Sequence, residues 1–165
     1  MTSEKSAWAR FLFPTINFKF IIRLVIIAAS TMILFQVFFK PFWITGISML
    51  PTYHDGFVLS WNASYWFSEP AYGDIVILRM TSREMYIKRV IGLEGDTIAF
   101  ENGKLIRNGE VVDEPYIRLE CNWNMEPTLV APGKVYVVGD NRSMDIEMHE
   151  FGQLSKKRII GKPLW

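Results

Sequence analysis

The chain has 165 residues, 50% of them hydrophobic, with 18 basic against 17 acidic side chains and a formal net charge of +1. That length suits one compact domain plus a membrane segment, and the near-neutral charge gives none of the electrostatic footprint of a nucleic-acid binder. The single cysteine, Cys121, excludes an internal disulfide framework and a thiolate metal site.

The first element is the apolar run from Ile21 to Phe39. As a helix it would measure about 28 Å at roughly 1.5 Å per residue, close to the ~30 Å of a bilayer core. Arg23 lies in its first turn, where a long side chain can snorkel to the interface. The run is longer than a cleavable leader and continues into Phe39-Lys40-Pro41-Phe42-Trp43, so it reads as a retained anchor. Lys5, Arg10, Lys19 and Arg23 outnumber Glu4 before it, whereas Lys40 is the nearest basic residue after it. This bias predicts residues 1–20 in the cytoplasm, 21–39 across the membrane and 40–165 outside.

After the anchor, Phe42 to Tyr72 is thick with aromatic residues, which suit either an ordinary core or a surface that dips into lipid headgroups. His54 within it reads as a turn residue. From Gly73 the pattern becomes short strands with turn punctuation: Asp74 to Met80, Glu84 to Ile91, Thr97 to Glu101, Lys134 to Val138 and a last short one at Arg158 to Ile160. Asn102-Gly103 and Asn108-Gly109 flank Lys104 to Arg107 and predict two tight hairpins. Val111 to Tyr116 is a further candidate strand, and Arg118 to Pro127 reads as a loop. The fold class expected is mainly β, with one N-terminal transmembrane helix followed by an all-β domain.

Gly46-Ile47-Ser48-Met49-Leu50-Pro51-Thr52 places a serine just beyond the anchor. A serine hydroxyl is a weak nucleophile and needs a base within hydrogen-bond reach. The G-x-S-x-G elbow fails for want of a second glycine, and an S-x-x-K site would need lysine where Pro51 stands. Tyr86-Ile87-Lys88-Arg89-Val90-Ile91 offers a lysine inside a strand-like apolar run, where desolvation favours the neutral amine. Ser48 and Lys88 are therefore a candidate dyad, set against the plainer readings of a turn serine and a surface strand lysine. To act at neutral pH the lysine's ordinary pKa of about 10.4 must fall by two or three. Strand alternation sends Arg89 to the opposite face. Ser48 with His149 and Asp145 could spell a triad, but nothing in the spacing favours it. Two histidines and one cysteine without ligand spacing make no metal site.

Four stretches, Ser48-Met49-Leu50-Pro51-Thr52, Gly73-Asp74-Ile75-Val76, Lys88 to Leu93 with Gly95-Asp96, and Gly139-Asp140-Asn141-Arg142, resemble in order and spacing the boxes of type I signal peptidases. The resemblance covers about Phe42 to Gly161. It implies a membrane-anchored Ser/Lys serine endopeptidase that removes N-terminal signal peptides from exported precursors, with Ser48 as nucleophile, Lys88 as general base and no cofactor. It also implies a precursor lying extended between Trp43–Ile47 and Arg83–Ile87, with Ile44, Gly46, Ile47 and Tyr86 at the substrate. The partners implied are signal-peptide-bearing precursors, the lipid bilayer and the export machinery, with no nucleic acid. The location implied is the plasma (inner) membrane, with the mitochondrial inner membrane as the alternative. Asp140 is expected to be a structural partner of Arg89 or Arg142.

The chain departs from that family at two places. Gly46 stands where many relatives carry a hydroxyl donor to the oxyanion, leaving the Ser48 backbone N–H in need of another partner group. Aligned without gaps to Gly152, the family's lysine-orienting serine becomes Asp145, with Glu147, Met148 and His149 following at family positions. A carboxylate beside Lys88 would raise its pKa, so either Asp145 points elsewhere, Lys88 is less primed, or Ser143 takes the orienting role. This altered stretch motivates the alternative of a catalytically silent paralogue serving as a scaffold in export or surface assembly.

Overall fold

The structure is a computed structural model that describes residues 16–81, 84–148 and 152–164. The chain divides into two compact units at Phe38/Phe39. The first holds one helix, α1, Phe18–Phe38, with mean hydropathy 2.2 and no buried residue. The Asn17 side chain accepts the Phe20 N–H at 2.9 Å, capping an otherwise orphaned donor at the start. Inside the helix the Ser30 hydroxyl donates to the Ile26 carbonyl, so its polar group is satisfied without water. By length and composition α1 is able to cross a membrane.

The second unit is built from strands β1 Phe39–Ile44, β2 Gly56–Trp61, β3 Ile75–Arg79, β4 Met85–Gly92, β5 Thr97–Glu101, β6 Lys104–Arg107, β7 Glu110–Val111, β8 Met125–Leu129, β9 Lys134–Val138, β10 Gly152–Ser155 and β11 Ile159–Pro163. Seven form one sheet in the order β1-β2-β11-β3-β4-β9-β10, and four form another in the order β7-β6-β5-β8. Every strand pair is antiparallel. Both predicted hairpins form. Asn102 (φ 48°) with Gly103 (φ 79°), and Asn108 (φ 56°) with Gly109 (φ 83°), place two successive residues in the left-handed region, as a two-residue turn matched to strand twist requires.

β5 and β9 coincide with the sequence expectation, and β3 and β4 differ from it only at their ends. The candidate strand at Val111–Tyr116 shortens to Glu110–Val111. The expected loop Arg118–Pro127 instead ends in a strand, β8, paired to β5 through Thr97↔Leu129 and Ile98↔Thr128. The polar run Glu120–Asn124 reads as loop and hides this strand, and Pro127 within the strand is tolerated because β8 lies at a sheet edge. β1, which begins at Phe39 where the sequence still reads as anchor, is an edge strand that likewise tolerates Pro41.

Three apolar clusters hold the unit together. One sits between the sheets around Ile91, Ile98, Phe100, Leu105, Trp123 and Val138, a second joins Val76, Leu78, Val90, Val135 and Val137, and a third joins Met49, Val58, Ile77 and Ile87. The aromatic stretch divides between the two readings. Phe42, Tyr53 and Tyr65 pack against these clusters, whereas Trp43, Trp66 and Phe67 are exposed, Phe67 at 98%.

Candidate active site

The third cluster shapes the turn that carries Ser48. Met49 is driven into the core with Val58, Ile77 and Ile87, so its neighbour Ser48 stays half-buried at the rim. The turn closes on itself through Leu50 N–H to the Ile47 carbonyl and Tyr53 N–H to the Met49 carbonyl. Asn141 then clamps it from the Gly139–Arg142 segment. Its backbone N–H donates to the Ser48 carbonyl and its Nδ2 to the Ile47 carbonyl, each at 3.0 Å. Its Oδ1 accepts from the Ser143 N–H and hydroxyl, which fixes the amide's orientation. This clamp was not foreseen from sequence; the polar Gly-Asp-Asn-Arg turn was the only trace of it.

Lys88 sits in β4 opposite Val76 of β3 and is 2% exposed. Its Nζ lies 2.8 Å from Ser48 Oγ, so the two groups share a hydrogen bond. The ring of Tyr86, two positions earlier on the same strand face, is 5.8 Å from Nζ. Arg89 points the other way, as alternation requires. There its guanidinium makes a two-pronged pair with Asp140, Nε to Oδ1 at 2.8 Å and Nη2 to Oδ2 at 2.6 Å, donates to the Gly73 carbonyl and stacks on Tyr116. Burial works to lower the Arg89 pKa, but the bond and field of Asp140 outweigh it and hold the group above its ordinary value. Asp140 also accepts from the Thr52 hydroxyl at 2.5 Å, tying this pair to the end of the Ser48 turn. Of the two expected partners of Asp140, Arg89 is the one it pairs with. Arg142 instead pairs with Glu114 at 2.6 Å and donates to the Gly139 carbonyl.

Among the described residues the Ser48 N–H has no hydrogen-bond partner, which leaves it available to a developing oxyanion. The Gly46 N–H is already given to Asp55 Oδ1 at 2.8 Å, and Gly46 has φ +122°, a conformation that disfavours any side chain there. Ser48 opens into a cleft of about 550 Å³ lined by Trp43, Ile44, Gly46, Met85, Tyr86 and Ile87, among others. β1 is a sheet edge, and the pairing of β4 with β9 begins at Arg89, so β1 and the first half of β4 border one cleft. Ile44, Gly46 and Tyr86 thus line it, whereas Ile47 does not and is 52% exposed. Arg83 and His149 lie outside the described residues.

Asp145 is exposed, and neither it nor Ser143 is hydrogen-bonded or ion-paired to Lys88. Of the arrangements open at the sequence level, the structure corresponds to the one in which Asp145 points elsewhere, and it gives Ser143 to Asn141 rather than to the lysine. The expected consequence is a negative result. A carboxylate near Lys88 would raise its pKa and hold the acid limb of the rate profile at high pH, so its removal would move that limb down. With Asp145 turned to solvent, Asp145→Ser leaves the limb of kcat/KM in place within about 0.3 pH units; a downward shift of one unit or more would put the carboxylate beside Lys88.

A serine hydroxyl bonded to a buried lysine amine, at the mouth of a cleft bordered by β1 and β4, defines a serine-hydrolase class of site. Residues 17–165 match the family model described as signal peptidase, peptidase S26, and the chain belongs to that family. It is 37% identical over 139 residues to a signal peptidase I of Bacillus caldolyticus, covering 75% of this chain and 76% of that one. It is 31% identical over 156 residues to thylakoidal processing peptidase 1 of Arabidopsis thaliana, covering 84% of this chain and 46% of the relative, so it spans about half that protein's length. A solved signal peptidase I from Enterococcus faecalis aligns at 24% identity with a TM-score of 0.47, covering 58% of this chain and 97% of the other.

Proposed function

We propose that the protein is a membrane-anchored serine endopeptidase that removes signal peptides from exported precursors, with Ser48 as nucleophile and Lys88 as general base. The observation that carries this reading is the 2.8 Å contact between Lys88 Nζ and Ser48 Oγ, with the lysine almost wholly buried. As an ammonium, Lys88 donates to Ser48; as the neutral amine that burial favours, it accepts the hydroxyl proton while Oγ attacks the scissile carbonyl. The tetrahedral oxyanion meets the Ser48 N–H, the protonated lysine returns its proton to the leaving amine, and water then releases the acyl group by the same relay.

The precursor lies extended in the cleft between β1 and β4 and binds by backbone hydrogen bonds. Shallow pockets in that cleft select small side chains next to the cut. Full-length protein in detergent is expected to cleave a leader peptide bearing small residues at the first and third positions before the bond, with the product masses locating the cut. Absence of cleavage from pH 7 to pH 10 would overturn the reading. The scaffold alternative has no comparable feature in its favour.

The membrane part of the proposal places α1 across the bilayer with its N-terminus in the cytoplasm and the β domain outside. It is supported by the apolarity of the helix and by Lys19 and Arg23 near its start. Lys5 and Arg10, which strengthen the charge bias, lie outside the described residues. Protease added to spheroplasts is expected to digest the β domain and leave a tag ahead of residue 16 intact. The opposite protection pattern would reverse the orientation. The export machinery remains a proposed partner, as does the choice of plasma over mitochondrial inner membrane.

A further inference from the structure

Away from Ser48, the β domain has a second cavity of about 570 Å³, and its lining includes Lys40, Arg79, Lys157 and Arg158 with no acidic side chain among the described residues. Topology explains how residues so far apart in sequence meet. Lys40 is at the start of β1, Arg79 ends β3, and Lys157 and Arg158 form the turn that leads into β11. In the order β1-β2-β11-β3 these strands run antiparallel, so the starts of β1 and β11 and the ends of β2 and β3 share one end of the sheet.

Among the described residues none of these four cations has a carboxylate partner. Arg158 reaches only the Met80 carbonyl and thioether, whereas the adjacent Lys156 is engaged by Glu69 at 2.9 Å and lies outside the cavity lining. Trp66, 51% exposed, forms part of the wall, and the fully exposed Phe67 follows it. Four unneutralised cations around one concavity are costly unless an anion occupies it or water screens them. Two are arginines, whose planar forks suit phosphate oxygens in pairs.

The chain itself says where that anion comes from. Lys40 is the second residue after Phe38, the last residue of α1, so if α1 spans a bilayer the covalent chain delivers Lys40 to the headgroup layer. Exposed Trp and Phe beside a basic pocket are the side chains that settle at that depth. We propose that this cavity is a binding site for the phosphate of an anionic phospholipid headgroup, held by Arg79 and Arg158 with Lys40 and Lys157 at the rim and Trp66 against the glycerol and upper acyl region. The proposal rests on the membrane reading of α1 but on neither its orientation nor the peptidase activity.

The test uses full-length protein in mixed micelles of equimolar phosphatidylglycerol and phosphatidylcholine, counting retained lipids by native mass spectrometry, so cleavage plays no part. The expected result is at least a fivefold enrichment of one phosphatidylglycerol, lost in Arg79→Gln/Arg158→Gln and kept in part in Arg79→Lys/Arg158→Lys, which retains the charge without the fork. All these side chains are exposed, and the Lys pair together with the single variant Lys157→Gln, expected to lower the enrichment in part, covers the case of a misfolded Gln pair. Equal retention of both lipids, or enrichment that survives neutralisation of the arginines, would overturn the proposal. Displacement of the lipid by 10 mM inorganic phosphate would assign the site to free phosphate instead, and displacement by hexaglutamate to an acidic peptide; either result overturns a lipid site.

Discussion

Ser48→Ala and Lys88→Ala are each expected to lower kcat for leader-peptide cleavage by on the order of 10⁴ or more, with KM little changed. A serine without its base and a base without its nucleophile leave the same residual activity, because the two act as a unit, and the double variant is therefore expected to be no worse than either single one. Lys88→Ala also empties buried space, so Lys88→Met is the better probe: it keeps the stem volume and removes only the amine. Because taking an ammonium into an apolar site is unfavourable, Lys88→Met is expected to unfold at the same temperature as wild type or above it, while remaining inactive. Wild-type turnover in either single variant, with the fold verified by circular dichroism and thermal melting, would remove the pair from the mechanism.

The second large effect concerns stability. Asp140→Ala removes three hydrogen bonds at once, two from Arg89 and one from Thr52, and leaves a buried guanidinium whose counter-ion is gone. Removing one partner of such a pair costs about 3–5 kcal/mol, chiefly the desolvation of the charge left behind. By contrast Glu69→Ala, which breaks the solvent-facing pair with Lys156, is expected to change stability by under about 1 kcal/mol. Guanidinium-induced unfolding followed by tryptophan fluorescence separates the two. If desolvation dominates, adding Arg89→Met to Asp140→Ala recovers part of the loss, since no charge then remains buried. A loss below about 1 kcal/mol for Asp140→Ala would mean that water reaches Arg89. Activity should fall as well, because Thr52 and Asn141 on either side of Asp140 are the ties that hold the Ser48 turn.

Much of the β domain is legible in local chemistry. Asn-Gly pairs state their own turns, since few other residues adopt two successive positive φ angles, and the runs Thr97–Glu101 and Lys134–Val138 carry β-branched residues within bounds that local signals set. β1 and β8 contain Pro41 and Pro127, whose tolerance depends on lying at a sheet edge, which is a property of the sheet and not of the segment. The aromatic stretch from Phe42 to Tyr72 was ambiguous for a related reason. Whether a ring is core or surface depends on which strand face it occupies, and the answer differs between Phe42 and Trp43.

At the site, the sequence by itself determined which residue types were on offer: a serine in a tight turn, a lysine in an apolar run and no alternative base with better spacing. It also determined the apolar run of α1, because membrane length and hydropathy are local sums. Only the tertiary structure decided that Lys88 Nζ lies 2.8 Å from Ser48 Oγ, that Asn141 clamps the turn, that Asp140 chooses Arg89, and that Asp145 faces solvent. Only it gathered Arg79, Lys157 and Arg158 around Lys40. The physical reason is common to all of these: each pairs side chains from strands far apart in the chain, and their approach is set by antiparallel register and strand order, which no local window of sequence contains.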